Sequence, residues 1–228
     1  MSTRTEVKAF VLSVAEEIHV GYDLEMSSAH QFQSISVRDY LVGENHANRK
    51  HEYVEGLIYS MAGASNSHNR IATNATGLLY SQLRGQKCQV FNSDTKVRIR
   101  FSSGTRFYYP DVSVVCRPNP PVDTFHDAPI VIVEVISEST RRTDEYEKRE
   151  AYLTIDSLSV YILVEQNSAR VLAYRRTDSG FLAETYSELE AVIPLPEIDC
   201  AISLIELFAN IEFPTAEELR EQAMEYEV

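Results

Sequence analysis

No stretch of this chain approaches the roughly 20 consecutive apolar residues that a membrane-spanning helix needs. A cleavable leader is also missing from the pattern: AFVLSVAEEIHV is interrupted by Glu16 and Glu17 before any small-residue cleavage site. Cysteine is scarce. Cys88, Cys116 and Cys200 are far apart and odd in number, which excludes a zinc-type paired spacing and fits a reducing, cytoplasmic setting. Positive charge is short as well, with 21 Lys and Arg against 34 Asp and Glu, a formal net charge of −13. That balance excludes a large phosphate-binding surface. It leaves room for a local groove, because Arg84, Lys87, Lys96, Arg98, Arg100 and Arg106 fall close together; an ordinary solvated face explains the same cluster. Internal repeats, heptads and low-complexity tracts are missing too.

What remains is a chain of 228 residues, 44% hydrophobic and 24% charged. Such a chain can build one sizeable core with extensions. The pattern predicts a short helix around Val7–Ile18 and a polar loop after it. Ser36 with Asp39 reads as a helix N-cap pair. HEYVEGLIYSMAG reads as two strands turning at Glu55-Gly56. Ile71, Ala75, Leu78, Leu79 and Leu83 recur at helical spacing, with Gly85 placed as a C-terminal stop. CQVF and TKVRIRF read as strands around NSD, and Pro110 interrupts the sheet before VSVV. RPNPPVDTFHDAP reads as a loop, and IVIVEV as a central strand covered on both faces. Ser137 or Ser139 opens the next helix, to about Ile155. SVYILVE, ARVLAYRR and GFLAETYS read as strands, the last two as a hairpin. Pro194 and Pro196 mark a loop, ISLIELF a short helix, and Thr215 with Glu218 a capping box for an acidic terminal helix. This order predicts a mixed α/β fold, a central mixed sheet flanked by helices with an additional C-terminal hairpin. The expected division is an extension over 1–34, a domain over 35–212 and the terminal acidic helix over 213–228.

Inside this apolar pattern two acids stand out. Glu134 interrupts Ile130–Ile136, where an ionised carboxylate is costly unless paired or bound to a cation. A structural Glu satisfied by Arg or backbone N–H groups is the alternative. Asp111 follows a proline, as turn residues do, but it leads directly into the apolar VSVV and could lie beside Glu134 on an adjacent strand. Two such carboxylates suit Mg²⁺, which keeps several waters. Asp144, Lys148 and Tyr152 are spaced by four and share a helix face. Either they form a modest surface pair, or the lysine serves the carboxylates. His68 lies in the first turn of its helix, where a cap or solvated residue is also expected.

The ordered set PDVSVV, IVEVISEST, a D-x-x-x-K-x-x-x-Y helix and VYILVE resembles the PD-(D/E)XK nuclease superfamily. It is most similar to the bacterial restriction-endonuclease family that is heavily expanded in cyanobacteria. HEYVEG, MAGASNSHN and FNSD match that family's upstream motifs, and the likeness runs from about Val37 to Phe208. The resemblance implies a restriction-endonuclease-like core and an endonuclease hydrolysing phosphodiesters of DNA with Mg²⁺ or Mn²⁺. It implies metal ligands at Asp111 and Glu134, adds Glu52 as the acid of the first motif, and makes His68 and Asp94 recurrent polar positions. The chain departs from the pattern twice: Ile136 stands where the superfamily lysine is expected, and Leu57 where an acid is frequent. Lys148 is the first candidate to supply the missing charge, with Lys96 the next. Cutting both strands implies a homodimer. Two further functions fit the same residues: a non-catalytic descendant that binds nucleic acid or protein, and a hydrolase of small phosphoesters.

Overall fold

The computed structural model describes residues 34–61, 63–137 and 141–215. The helices expected at Val7–Ile18 and after Thr215 lie outside the described residues. The chain forms two compact units. The described part of Met1–Gly63 joins Arg100–Phe107 in one, and Ala64–Ile99 joins the segment from Tyr108 onward in the other.

The first unit opens with α1 (Val37–Glu44). Its N-cap, Ser36, accepts the Asp39 N–H at 3.1 Å and donates to the Asp39 carboxylate at 2.7 Å, which satisfies an otherwise orphaned helix-end donor. Strands β1 (His51–Val54) and β2 (Leu57–Ser60) form a hairpin with Val54 opposite Leu57. Its two turn residues, Glu55 at φ 51° and Gly56 at φ 104°, take the positive φ that a two-residue hairpin loop requires. Gly56 is also fixed by space, since a Cβ there would run into the Ser34 side chain. The third strand, β5 (Thr105–Tyr108), pairs Phe107 with Tyr53, and the rings of Tyr40, Tyr53 and Phe107 pack together at 5.0–6.0 Å.

The second unit is built on a six-stranded mixed sheet. It comprises β3 (Gln89–Asn92), β6 (Val112–Val115), β8 (Pro129–Ile136), β9 (Val160–Glu165), β10 (Val171–Thr177) and β11 (Gly180–Tyr186), in the spatial order β11-β10-β9-β8-β6-β3. β8 and β9 run parallel and the other neighbours antiparallel. Alternation gives the sheet two different faces. Val131, Val133 and Val135 of β8 face the main core, with Ile71, Ala75 and Leu79 of α2 (Asn66–Leu83). Each of these buried aliphatics beyond alanine contributes about 1.5–3 kcal/mol. Ile132, Glu134 and Ile136 take the other face. Ser65 caps α2 through the His68 N–H at 3.1 Å, and Gly85 at φ 79° follows its end.

Three expectations need correcting. The helix after β8 is a π-helical segment, Thr143–Lys148, followed by a short α3 (Arg149–Tyr152). The loop after β6 contains a short β7 (Phe125–His126) that runs parallel to β4 (Lys96–Arg100). Pro194 lies within β12 (Val192–Leu195) and ISLIELF is split, because β12 pairs with β13 (Cys200–Ser203) before α4 (Leu204–Leu207) begins. A two-stranded ribbon has an outer edge that tolerates a proline without an N–H.

Cys88 and Cys116 form a disulfide across 28 residues of sequence. They follow from the β3–β6 register, in which Gln89 faces Val115, so antiparallel geometry sets the next pair opposite each other. This bridge removes the support that the cysteine count lent to a reducing compartment. A loop of this length stabilises the fold by roughly 3 kcal/mol. At about 2–4 °C per kcal/mol for a chain of this size, adding a reductant should lower Tm by about 6–12 °C in a calorimetric scan. The melting of Cys88→Ser should ignore the reductant. No helix among the described residues is long and apolar enough to cross a membrane.

Candidate active site

The antiparallel register that sets Val112 opposite Val133 brings Asp111 to the level of Glu134, one residue beyond the ladder. The Asp111 N–H donates to Glu134 Oε2 at 3.2 Å, and the Val135 N–H donates to Asp111 Oδ2 at 2.8 Å. Each carboxylate is therefore held by the backbone of the other's strand. Pro110, just past the end of β5 at Tyr108, has no N–H to add to a ladder.

On the Glu134 face of the sheet the π-helical segment and α3 supply three side chains. Lys148 Nζ lies 3.5 Å from Glu134 Oε1 and 3.2 Å from Asp144 Oδ1. Tyr152 donates its hydroxyl to Glu134 Oε1 at 3.1 Å. Tyr161, on β9, donates to the Asp144 carbonyl at 3.0 Å and packs its ring on Tyr152. The pair Asp144–Lys148 is therefore a buried one, with side chains 4% and 8% exposed, and the surface-pair alternative is set aside. π-Helical turns occur often at functional sites, and this one carries both residues. His68, at the start of α2, meets Asp111 Oδ1 through Nε2 at 3.0 Å.

The charges within this group do not balance. Asp111, Glu134 and Asp144 bring three carboxylates, and Lys148 brings one ammonium. Their field reaches Tyr161, whose hydroxyl pKa is pushed well above the ordinary tyrosine value by burial first, then by Glu134, Asp144 and Asp111. A site with Glu134 and Asp144 buried and Asp111 part-buried favours a cation. Asp144 Oδ1 has the Lys148 ammonium at 3.2 Å as its ion-pair partner. No group of three or more His, Cys, Asp or Glu is arranged to hold a metal among those residues. A hydrated Mg²⁺ needs only one or two carboxylates, and Asp111 with Glu134 fit it.

The remaining expected residues make contacts of their own. Glu52 sits half-buried on β1 of the first unit, opposite Tyr59. Asp94 is exposed in the β3–β4 turn, where it exchanges bonds with Asn92 at 3.2 Å. Ile136 is buried on the same face as Glu134, so an aliphatic side chain fills the expected lysine position. Lys96, the other candidate, is buried with Nζ 3.2 Å from the Tyr109 hydroxyl. Two members of the basic cluster are paired with acids: Arg98 makes a two-pronged pair with Asp127 at 2.7 Å, and Arg106 bonds Glu55. Tyr152 and Tyr161 had no assigned role in the sequence. The four-residue step from Lys148 placed Tyr152 on the right face, and nothing pointed to Tyr161.

Residues 37–204 match the Uma2 family, described as a putative restriction endonuclease. Two uncharacterized proteins of Synechocystis sp. (strain PCC 6803) are similar in sequence. The protein slr1290 is 35% identical over 155 residues, 68% of this chain and 80% of its own length. The protein sll1609 is 32% identical over 145 residues, 62% and 81% respectively. A crystal structure of a putative nuclease belonging to DUF820 from Anabaena variabilis shares the fold. It gives a TM-score of 0.58 at 19% identity, over 72% of this chain and 92% of that one. The nuclease fold expected from the motif order is the one observed, and the chain belongs to the Uma2 family of the restriction-endonuclease-like superfamily.

Proposed function

We propose that this protein is a Mg²⁺- or Mn²⁺-dependent endonuclease acting on DNA, with Asp111 and Glu134 as the metal ligands. The observation that carries the reading is the pairing of Asp111 with Glu134 on adjacent strands, with Glu134 and Asp144 buried against the Lys148 ammonium. When bound, the metal supplies Lewis-acid polarisation of a phosphoryl oxygen and eases deprotonation of the attacking water. The chain's own residues do the rest. The Val135 N–H and the Asp111 N–H fix one oxygen of each carboxylate, and Tyr152 fixes the other oxygen of Glu134. Lys148, held by Asp144, provides positive charge beside Glu134 for the developing charge on the phosphate. It thereby does the work of the lysine that Ile136 replaces. Cutting both strands calls for two such sites, which a homodimer supplies.

The test is cleavage of supercoiled and linear DNA with either metal. Activity should vanish in Asp111→Ala and in Glu134→Ala. A folded protein that cuts no form of DNA with either metal overturns the reading, as does an undiminished double variant. Turnover of bis(p-nitrophenyl) phosphate without DNA cleavage would move the substrate class to small phosphoesters.

The buried Ile136 favours a second reading, a non-catalytic nuclease-fold protein that binds nucleic acid or a protein partner. Calorimetric titration separates the two, since this reading expects no Mn²⁺ binding that depends on Glu134.

A further inference from the structure

We infer that His68 is a positioning residue for Asp111: its Nε2–H clamps Oδ1 and thereby sets the orientation in which Asp111 presents its carboxylate to a cation. The inference goes beyond the proposed function by assigning a role to a residue outside the ligand pair. Its metal-affinity test rests on that function, and its hydrogen-bond test does not.

The geometry is specific. A carboxylate oxygen at 3.0 Å can only accept from an imidazole nitrogen, so the proton sits on Nε2. The other nitrogen, Nδ1, is buried and has no hydrogen-bond partner among the described residues. The carboxylate contact therefore fixes Nε2 as the ring nitrogen that donates. The imidazole has little freedom to leave. Its backbone N–H is bound by the Ser65 cap at 3.1 Å, and the helix it opens is packed on the sheet through Ile71, Ala75 and Leu79. His68 itself is 8% exposed.

The clamp is two-sided. Oδ2 of Asp111 is held by the backbone of β8 at 2.8 Å, and Oδ1 by a side chain from α2. With both oxygens fixed by donors from different elements, rotation about the Cβ–Cγ bond is arrested. The carboxylate's remaining lone pairs then point in set directions. Groups that orient a ligating carboxylate this way change metal affinity by about 10–100-fold when removed. The single backbone bond from Val135 cannot do this alone, because one bond leaves the carboxylate free to pivot about it.

Two variants and one spectrum test the clamp. His68→Leu keeps the volume and removes the donor. His68→Gln places an amide N–H near the position of Nε2. In calorimetric titration with Mn²⁺, His68→Leu should bind about 10–100-fold more weakly than wild type, and His68→Gln within about threefold of it. Equal affinity in His68→Leu overturns the inference. An equal loss in both variants overturns it as well, since it would mean that the imidazole is itself a ligand or that its packing is what matters. In the metal-free protein, ¹⁵N spectra of the histidine rings should report a proton on Nε2 of His68, and the pattern should shift in Asp111→Asn. An Nδ1–H tautomer refutes the clamp whether or not the protein binds metal. If the wild type binds no Mn²⁺ while Nε2 carries the proton, the proposed function fails and the inferred metal-positioning role fails with it, leaving only a structural bond. Thermal melts of both variants within a few degrees of wild type exclude misfolding as the cause.

Discussion

Lys148→Met is expected to destabilise the protein by about 3–5 kcal/mol and to abolish cleavage. Methionine keeps the length and much of the apolar stem but removes the ammonium that lies 3.5 Å from Glu134 and 3.2 Å from Asp144. Both carboxylates are nearly inaccessible to water, so neither recovers hydration when the ammonium goes. Removing one partner of a buried charge group leaves the others uncompensated, which is the expensive way to dismantle it. The lysine of a surface pair of the same spacing would cost less than about 1 kcal/mol. Urea denaturation distinguishes the two directly: the midpoint should fall sharply with little change in slope. A loss below about 1 kcal/mol would show that Lys148 is solvated and that the buried cluster is not formed. Adding Asp144→Asn should restore part of the lost stability, because the second change removes one of the stranded charges. A double-mutant cycle then measures the coupling.

Much of this architecture is legible in the amino-acid order because local chemistry and burial agree. Ser36 and Ser65 cap helices where they are expected to, and Glu55-Gly56 turns the first hairpin. The run Ile130–Ile136, apolar but for Glu134, sits at the middle of the sheet, and β10 and β11 pair across TDSG. The carboxylate pair was also legible, since a single acid in a run of aliphatics needs a reason. Other features depend on quantities that composition does not carry. Spacing by four puts Asp144 and Lys148 on one face but says nothing of whether that face looks inward, so a surface pair was equally open. A π turn differs from an α turn by one residue of hydrogen-bond register, with no compositional mark. The Cys88–Cys116 bridge follows from β3–β6 register, which a distance of 28 residues hides. The basic cluster near residues 84–106 left a groove and a solvated face equally open because charge counting cannot see Asp127 beside Arg98 or Glu55 beside Arg106.

Glu134→Gln should do the opposite of Lys148→Met: abolish function while sparing the fold. The amide keeps one oxygen to accept from Tyr152 and loses the weaker acceptor at the Asp111 N–H, 3.2 Å away. That loss costs about 1 kcal/mol, and it is offset by removing one of three carboxylates from a site with one ammonium. Lys148 retains Asp144, its nearer partner. Net stability should therefore stay within about 1 kcal/mol of wild type. The effect on chemistry is much larger. Lewis-acid stabilisation is worth several kcal/mol, and each 1.36 kcal/mol is tenfold in rate, so cleavage should fall by about 10³-fold or more. Metal linkage gives a readout independent of turnover. At a Mn²⁺ concentration 100 times Kd, the wild type should gain about 2.7 kcal/mol of stability, whereas Glu134→Gln at the same concentration should gain almost none. A variant that still gains the full increment would show that Glu134 is not a ligand. A variant that loses several kcal/mol without metal would show instead that the carboxylate is structural, held for the Lys148 and Tyr152 contacts alone. The two outcomes together would bracket the site: the ammonium would be assigned to both the fold and the chemistry, and the carboxylate to the chemistry alone.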